Sequence, residues 1–121
     1  MPGLVRKSFD TPDETRPFEE GKGKLEVINT DSGVVGRATF EPGWRWSEHV
    51  GPIIGMESCQ MEHVGFVVSG RQRLRMNDGT ELEVSAGDLV SIPPGHDGWT
   101  VGDEACVILY FAGMGTYAKK S

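Results

Sequence analysis

At 121 residues the chain has room for one domain and one core, and no apolar run approaches the roughly 18 residues of a membrane span. Lys and Arg total 12 against 18 Asp and Glu, a formal charge of −6 that opposes counterion-displacing contact with nucleic acid and adhesion to an anionic membrane. Gly 17 and Pro 7 punctuate short apolar runs, and Cys 2 is too few for a disulfide scaffold.

Residues 1–23 read as an extended N-terminal arm, polar and without period, that lies across a neighbouring surface or frays. The start lacks the apolar block of a secretory signal, about 7–15 residues. The expected location is therefore cytoplasmic, with Cys59 and Cys106 as free thiols. Residues 24–121 read as a single domain of short strands, near 24–29, 34–41, 44–49, 57–60, 63–69, 71–76, 80–84, 88–92, 98–101 and 105–111. Strands at that density, separated by turn residues, spell an all-β sandwich or barrel. Helix is nearly absent from this pattern, apart from a turn at the last few residues.

One hairpin can be placed in register. Asn77-Asp78-Gly79 suits a three-residue loop with Gly79 in the left-handed conformation. Closing it there sets Met76 opposite Thr80, Arg75 opposite Glu81, Leu74 opposite Leu82 and Arg73 opposite Glu83, whereas a two-residue loop leaves the charges unmatched. Arg71, Arg73 and Arg75 then share one face, either as a ladder for an anionic ligand or as a solvated face paired with Glu81 and Glu83.

Two spans resemble the paired signature of the cupin superfamily. Gly87-Asp88-Leu89-Val90-Ser91-Ile92-Pro93-Pro94-Gly95-His96 carries the pattern G-x5-P-x-G. Pro93 ends a strand because it has no N–H to donate. The resemblance implies a metal-binding His two intervening residues after Gly95, where this chain has Gly98 and offers His96 instead. Positions 96 and 98 share a parity, so they point to one face, displaced by about 6–7 Å. The other span ends in His63, six residues and Gly70, with His63 in the place of the family's ligand Glu. Its head fits two registers: Glu57 and Cys59 replace the family's two histidines, or Gly43 to His49 matches the start, Gly51 takes the second His place and 52–62 form an inserted loop. The Gly51-Pro52 turn and Gly55 favour the latter.

The resemblance implies a double-stranded β-helix, the cupin or jelly-roll barrel, whose lumen binds a small molecule. Strand alternation groups His63, Gly65 and Val67 on one face. It would also bring Arg45, Ser47 and His49 inward and leave Trp44 and Trp46 outside, under the arm or a second subunit. So apolar an exterior argues for a homodimer. The candidate site is a divalent transition metal (Zn, Ni, Fe or Cu) held by His49, His63 and His96, with Cys59 a fourth ligand or a small buried apolar residue. Without metal, His63 and His96 are the candidate catalytic acid and base. Arg45, with Ser47 beside it, is the candidate substrate-binding group at the mouth; its plainer role is to pair with a surface acid. Two functions fit: a metal-dependent oxygenase, isomerase or lyase, and a non-catalytic ligand-binding or sensing module without metal.

Overall fold

Short strands with alternating buried and exposed side chains, ended by Gly and Pro, build two antiparallel sheets over one core. The computed structural model describes residues 3–31 and 33–112; the turn expected at the last few residues lies outside them. The strands are β1 Glu14–Pro17, β2 Gly23–Thr30, β3 Gly33–Phe40, β4 His63–Ser69, β5 Arg71–Met76, β6 Glu81–Ser85, β7 Leu89–Ile92, β8 His96–Thr100 and β9 Cys106–Ala112. Two four-residue helices, α1 Trp46–His49 and α2 Gly51–Ile54, lie between β3 and β4. The large sheet has the order β1-β2-β3-β9-β4-β7 and the small one β6-β5-β8. Facing each other, they form the double-stranded β-helix.

The β5–β6 hairpin shows how directly local chemistry sets register. Gly79 takes φ 94°, the Met76 N–H bonds the Thr80 carbonyl at 2.8 Å, and Arg73 lies opposite Glu83, Leu74 opposite Leu82 and Arg75 opposite Glu81. Hydrophobic burial then joins the sheets: Leu25, Ala38, Phe40, Val67 and Ile108 of the large sheet meet Leu74 and Val84 of the small one in one cluster. Each such large aliphatic side chain contributes about 1.5–3 kcal/mol by leaving water. Residues before Lys24 take part in this packing. β1 pairs with β2, and Phe18 stacks on Phe40 at a centroid distance of 5.6 Å.

The segment between β3 and β4 departs from the expected strands. Residues 44–49 do not alternate: Trp46, His49 and Val50 are buried at spacings of three and four, which is helical periodicity. The His49 ring caps the turn by accepting the Arg45 N–H at Nδ1, 2.9 Å away. Pro52 opens α2, and Gly55 closes it at φ 72°. The expected strand at 57–60 reduces to a single bridge, Cys59 to His96. Trp44 and Trp46 do not pack outside as expected; each is 2% exposed in the core. The apolar exterior is instead the outer face of the large sheet, where Phe66, Val68, Leu89 and Phe111 are exposed. Among the described residues, no helix is long and apolar enough to cross a membrane.

Candidate metal centre

His63 opens β4 and His96 opens β8, each on the inward parity of its strand and nearly sealed from solvent. Cys59 belongs to no strand. It reaches them because its N–H donates to the His96 carbonyl at 2.7 Å while its carbonyl accepts the Gly95 N–H at 2.7 Å. Cys59 Sγ lies 3.3 Å from His63 Nε2, and the His63 and His96 rings meet edge to face with centroids 5.4 Å apart. One donor atom from each of Cys59, His63 and His96 lies within 4.8 Å of the others.

Surrounding groups decide the protonation of this cluster. His96 Nδ1 is 2.8 Å from the Pro93 carbonyl, which can only accept, so Nδ1 carries the proton and Nε2 presents its lone pair. Burial pushes the His96 pKa below its ordinary value, against the opposing pull of the Pro93 carbonyl and Asp97, and keeps the ring neutral as a ligand must be. Burial also pushes the Cys59 thiol up to about 11, so in the absence of a cation it is protonated. Tyr110, whose ring centroid is 5.4 Å from that of His63, is raised above its ordinary pKa, first by burial. Its approach depends on Gly65, where a Cβ would sit 2.9 Å from Tyr110 Cδ1 and from Ile108 Cγ2.

The donor set fits a transition metal. Zinc, for example, binds thiolate sulfur at about 2.3 Å and imidazole nitrogen at about 2.0–2.1 Å, which places two donors of a tetrahedral ion roughly 3.5 Å apart. The Cys59–His63 separation is already 3.3 Å. Three protein ligands leave a fourth position for water or a small molecule.

The other expected site residues lie elsewhere. His49 does not join the cluster: its Nε2 faces Glu20 Oε2 at 3.1 Å while its Nδ1 caps α1. Arg45 and Ser47 do not line the lumen. The Arg45 guanidinium lies over the Trp99 ring, 4.6 Å from its centroid, and Nε donates to Asp97 Oδ2 at 3.0 Å. The Ser47 N–H donates to the other Asp97 oxygen, also at 3.0 Å. Asp97 alternates with His96 along β8, so these contacts fall on the far side of the wall. Cys59, not Gly51, approaches His63, and Gly51 is in α2. The departure from the expected register has one cause: residues 46–58 loop out of the wall, and Cys59 rejoins it by pairing with β8.

Sequence reasoning passed over Gln72. Its side chain is 1% exposed and faces the same interior as Leu74. The hairpin register held the signal, since Gln72 has the parity opposite to that of the three arginines.

A family model described as Cupin domain matches residues 36–111. No curated protein matches the chain. Among solved structures, a Rhizobium leguminosarum protein of unknown function is 15% identical with a TM-score of 0.63, covering 89% of this chain and 95% of its own. A protein of unknown function from Acinetobacter sp. is 13% identical, TM-score 0.60, with 81% and 88% covered. The Lactobacillus farciminis oxalate decarboxylase formate complex is 19% identical, TM-score 0.55; the match covers 80% of this chain but 30% of that one. At these identities the likeness concerns the fold alone. Two antiparallel sheets over one core and a family match across most of the strands lead to one conclusion: the chain belongs to the cupin domain family.

Proposed function

We propose that this cupin binds a small organic molecule in its lumen beside a divalent transition metal held by Cys59 Sγ and the imidazole nitrogens of His63 and His96. The observation that supports this reading is the convergence of one thiol and two imidazoles from three separate points of the chain, inside a sealed wall. Thiolate and imidazole donors favour Zn, Ni, Cu or Fe over Mg or Ca. Such an ion supplies, when bound, a Lewis acid toward a ligand oxygen. The chain's own part is to fix the His96 tautomer through Pro93, to bring Cys59 within reach of His63 and to exclude bulk water.

Titratable groups gathered in one lumen favour an enzyme, an oxygenase, isomerase or lyase, over a sensing module; fold alone does not choose between them. Two unpaired buried thiols suit a reducing compartment, and a cytoplasmic location belongs to the same reading. So does a homodimer packed on the face of Phe66, Val68, Leu89 and Phe111. Sedimentation of a Phe66→Glu, Leu89→Glu variant is expected to give a monomer, and a monomeric wild type would remove the dimer.

Elemental analysis tests the centre itself. Purified protein is expected to carry one transition-metal ion per chain, and His63→Ala none, with the far-UV circular dichroism of the two alike. A wild type that neither retains nor takes up Zn, Ni, Cu or Fe overturns the reading. It leaves the metal-free alternative, in which the His63 and His96 imidazoles take part in proton transfer with the bound molecule.

A further inference from the structure

Cys59 and His96 are joined by backbone pairing, and their sequence neighbours Ser58 and Asp97 border a separate polar cavity of about 260 Å³, lined also by Arg45, Glu57, Arg75 and Asn77. Three donors there are held in place without being used up. The Arg45 guanidinium lies 4.6 Å from the centroid of the Trp99 ring, and its Nε donates to Asp97 at 3.0 Å. Its two terminal amino groups have no hydrogen-bond partner among the described residues. Ser58 Oγ accepts from Gln60 Nε2 at 2.8 Å and from Asn77 Nδ2 at 3.3 Å, which occupies its lone pairs and leaves its O–H to donate. Arg75, the cross-strand partner of Asp97, lies 3.8 Å from Glu81, beyond hydrogen-bond distance. That carboxylate is already bonded by Arg73 at 2.7 Å.

On the acceptor side one carboxylate is engaged and one is not. Asp97 takes Arg45 on one oxygen and the N–H groups of Ser47 and Gly98 on the other. Glu57, from the loop before Cys59, is exposed and forms no ion pair or hydrogen bond among the described residues. Glu57 and Arg75 therefore line one cavity from different segments, with opposite charge, and no contact within ion-pair distance joins them. The lining charges cancel, Arg45 and Arg75 against Glu57 and Asp97. A ligand with one sign of charge would leave either Arg75 or Glu57 without a counterpart, whereas a ligand carrying both signs on separate atoms pairs with each.

We propose that this cavity is a second binding site, for a small zwitterion of the amino-acid type. The ligand's carboxylate meets Arg75, the terminal amino groups of Arg45 and the Ser58 hydroxyl, and its ammonium meets Glu57. None of Cys59, His63 and His96 lines the cavity, so the site stands apart from the metal-centre reading.

Glycine, β-alanine and 4-aminobutyrate are the probes, since they differ in the spacing of their two charges; butyrate and propylammonium are the single-charge controls. Each is titrated into isotopically labelled protein while the backbone amide shifts are followed. At least one zwitterion is expected to saturate in the millimolar range and to move the amides of Glu57, Ser58, Arg75, Asn77 and Asp97. The controls should bind about tenfold more weakly, the usual consequence of deleting a hydrogen bond to a charged group. Glu57→Gln and Arg75→Gln alter exposed side chains, so the fold is retained. Each should weaken the zwitterion about tenfold, Glu57→Gln without weakening butyrate and Arg75→Gln without weakening propylammonium. Saturation by none of the three, butyrate binding as tightly as the best zwitterion, wild-type zwitterion affinity in either variant, or shifts confined to other residues overturns the proposal. Failure of wild type to take up metal overturns the centre alone, because the zwitterion is read on metal-free protein as well.

Discussion

On the outer face of the small sheet, Arg73 Nε meets Glu81 at 2.7 Å, Arg71 reaches Glu83 at 3.6 Å and Arg75 reaches Glu81 at 3.8 Å. Arg45 joins them by pairing with Asp97 at 3.0 Å. On the inner face of the same strands, one residue along, Gln72 is sealed in with an unpaired donor and His96 converges with Cys59 and His63. The arginines keep 38–54% of their side-chain surface in water, so solvent and acidic neighbours share the work of satisfying them. Arg73 in turn holds the Glu81 carboxyl below its ordinary pKa, first through their hydrogen bond. Inside, where the effective dielectric is low and unmet polarity costs most, the fold leaves donors open and clusters metal-type ligands. The contrast separates charges that solvent and acidic neighbours satisfy from buried groups gathered as metal-type donors.

The sharpest way to break that contrast is at the inner face. His63→Leu or Cys59→Ala is expected to lower metal affinity by more than the roughly 10–100-fold that outer-shell changes cost, measured by competition with a chromophoric chelator. Affinity within a factor of two of wild type would mean that the three side chains do not act together.

The next effect follows from the thiol. Because burial pushes Cys59 up to about 11, the folded metal-free protein holds that proton at neutral pH, and binding a cation must release it. Above the lowered pKa of His96, metal affinity should therefore rise about tenfold per pH unit as pH increases toward that of the thiol. Calorimetry in buffers of different ionisation enthalpy should count one proton released. No release, or affinity falling with rising pH, would remove Cys59 from the ligand set.

The smallest effect belongs to the outer face. Arg73→Ala should leave metal content unchanged and shift the unfolding midpoint slightly, a shift that shrinks in high salt because exposed pairs are screened. Loss of metal in Arg73→Ala would show that the two faces are coupled through the sheet.

How much of this was legible beforehand depended on the distance along the chain over which each feature is decided. The β5–β6 register was readable because the turn residues and facing charges lie within a few positions of each other. The inward parity of His63 followed from the alternation of β4, and the strand before Pro93 from the missing N–H of proline. His49 was misassigned because residues 44–49 carry two patterns at once. The alternating polar residues suggested a strand, while the buried spacing of Trp46, His49 and Val50 belongs to a helical turn. Nothing local ranks the two; the turn wins because both indoles find the core and the His49 ring finds the Arg45 N–H.

The sequence by itself determined the strands from β2 onward outside residues 44–60, the β5–β6 turn, the paired charges of the outer face and the candidacy of His63 and His96, because each depends on side-chain alternation, backbone freedom or residue type over a few positions. Tertiary structure decided that Cys59 is the residue that meets them and that His49 turns away to Glu20. Those outcomes depend on where residues 46–58 rejoin the wall and on how the turn at 46–49 packs against the segment that carries Glu20. Each is set by backbone pairing or packing between segments distant in the chain, which no local pattern encodes.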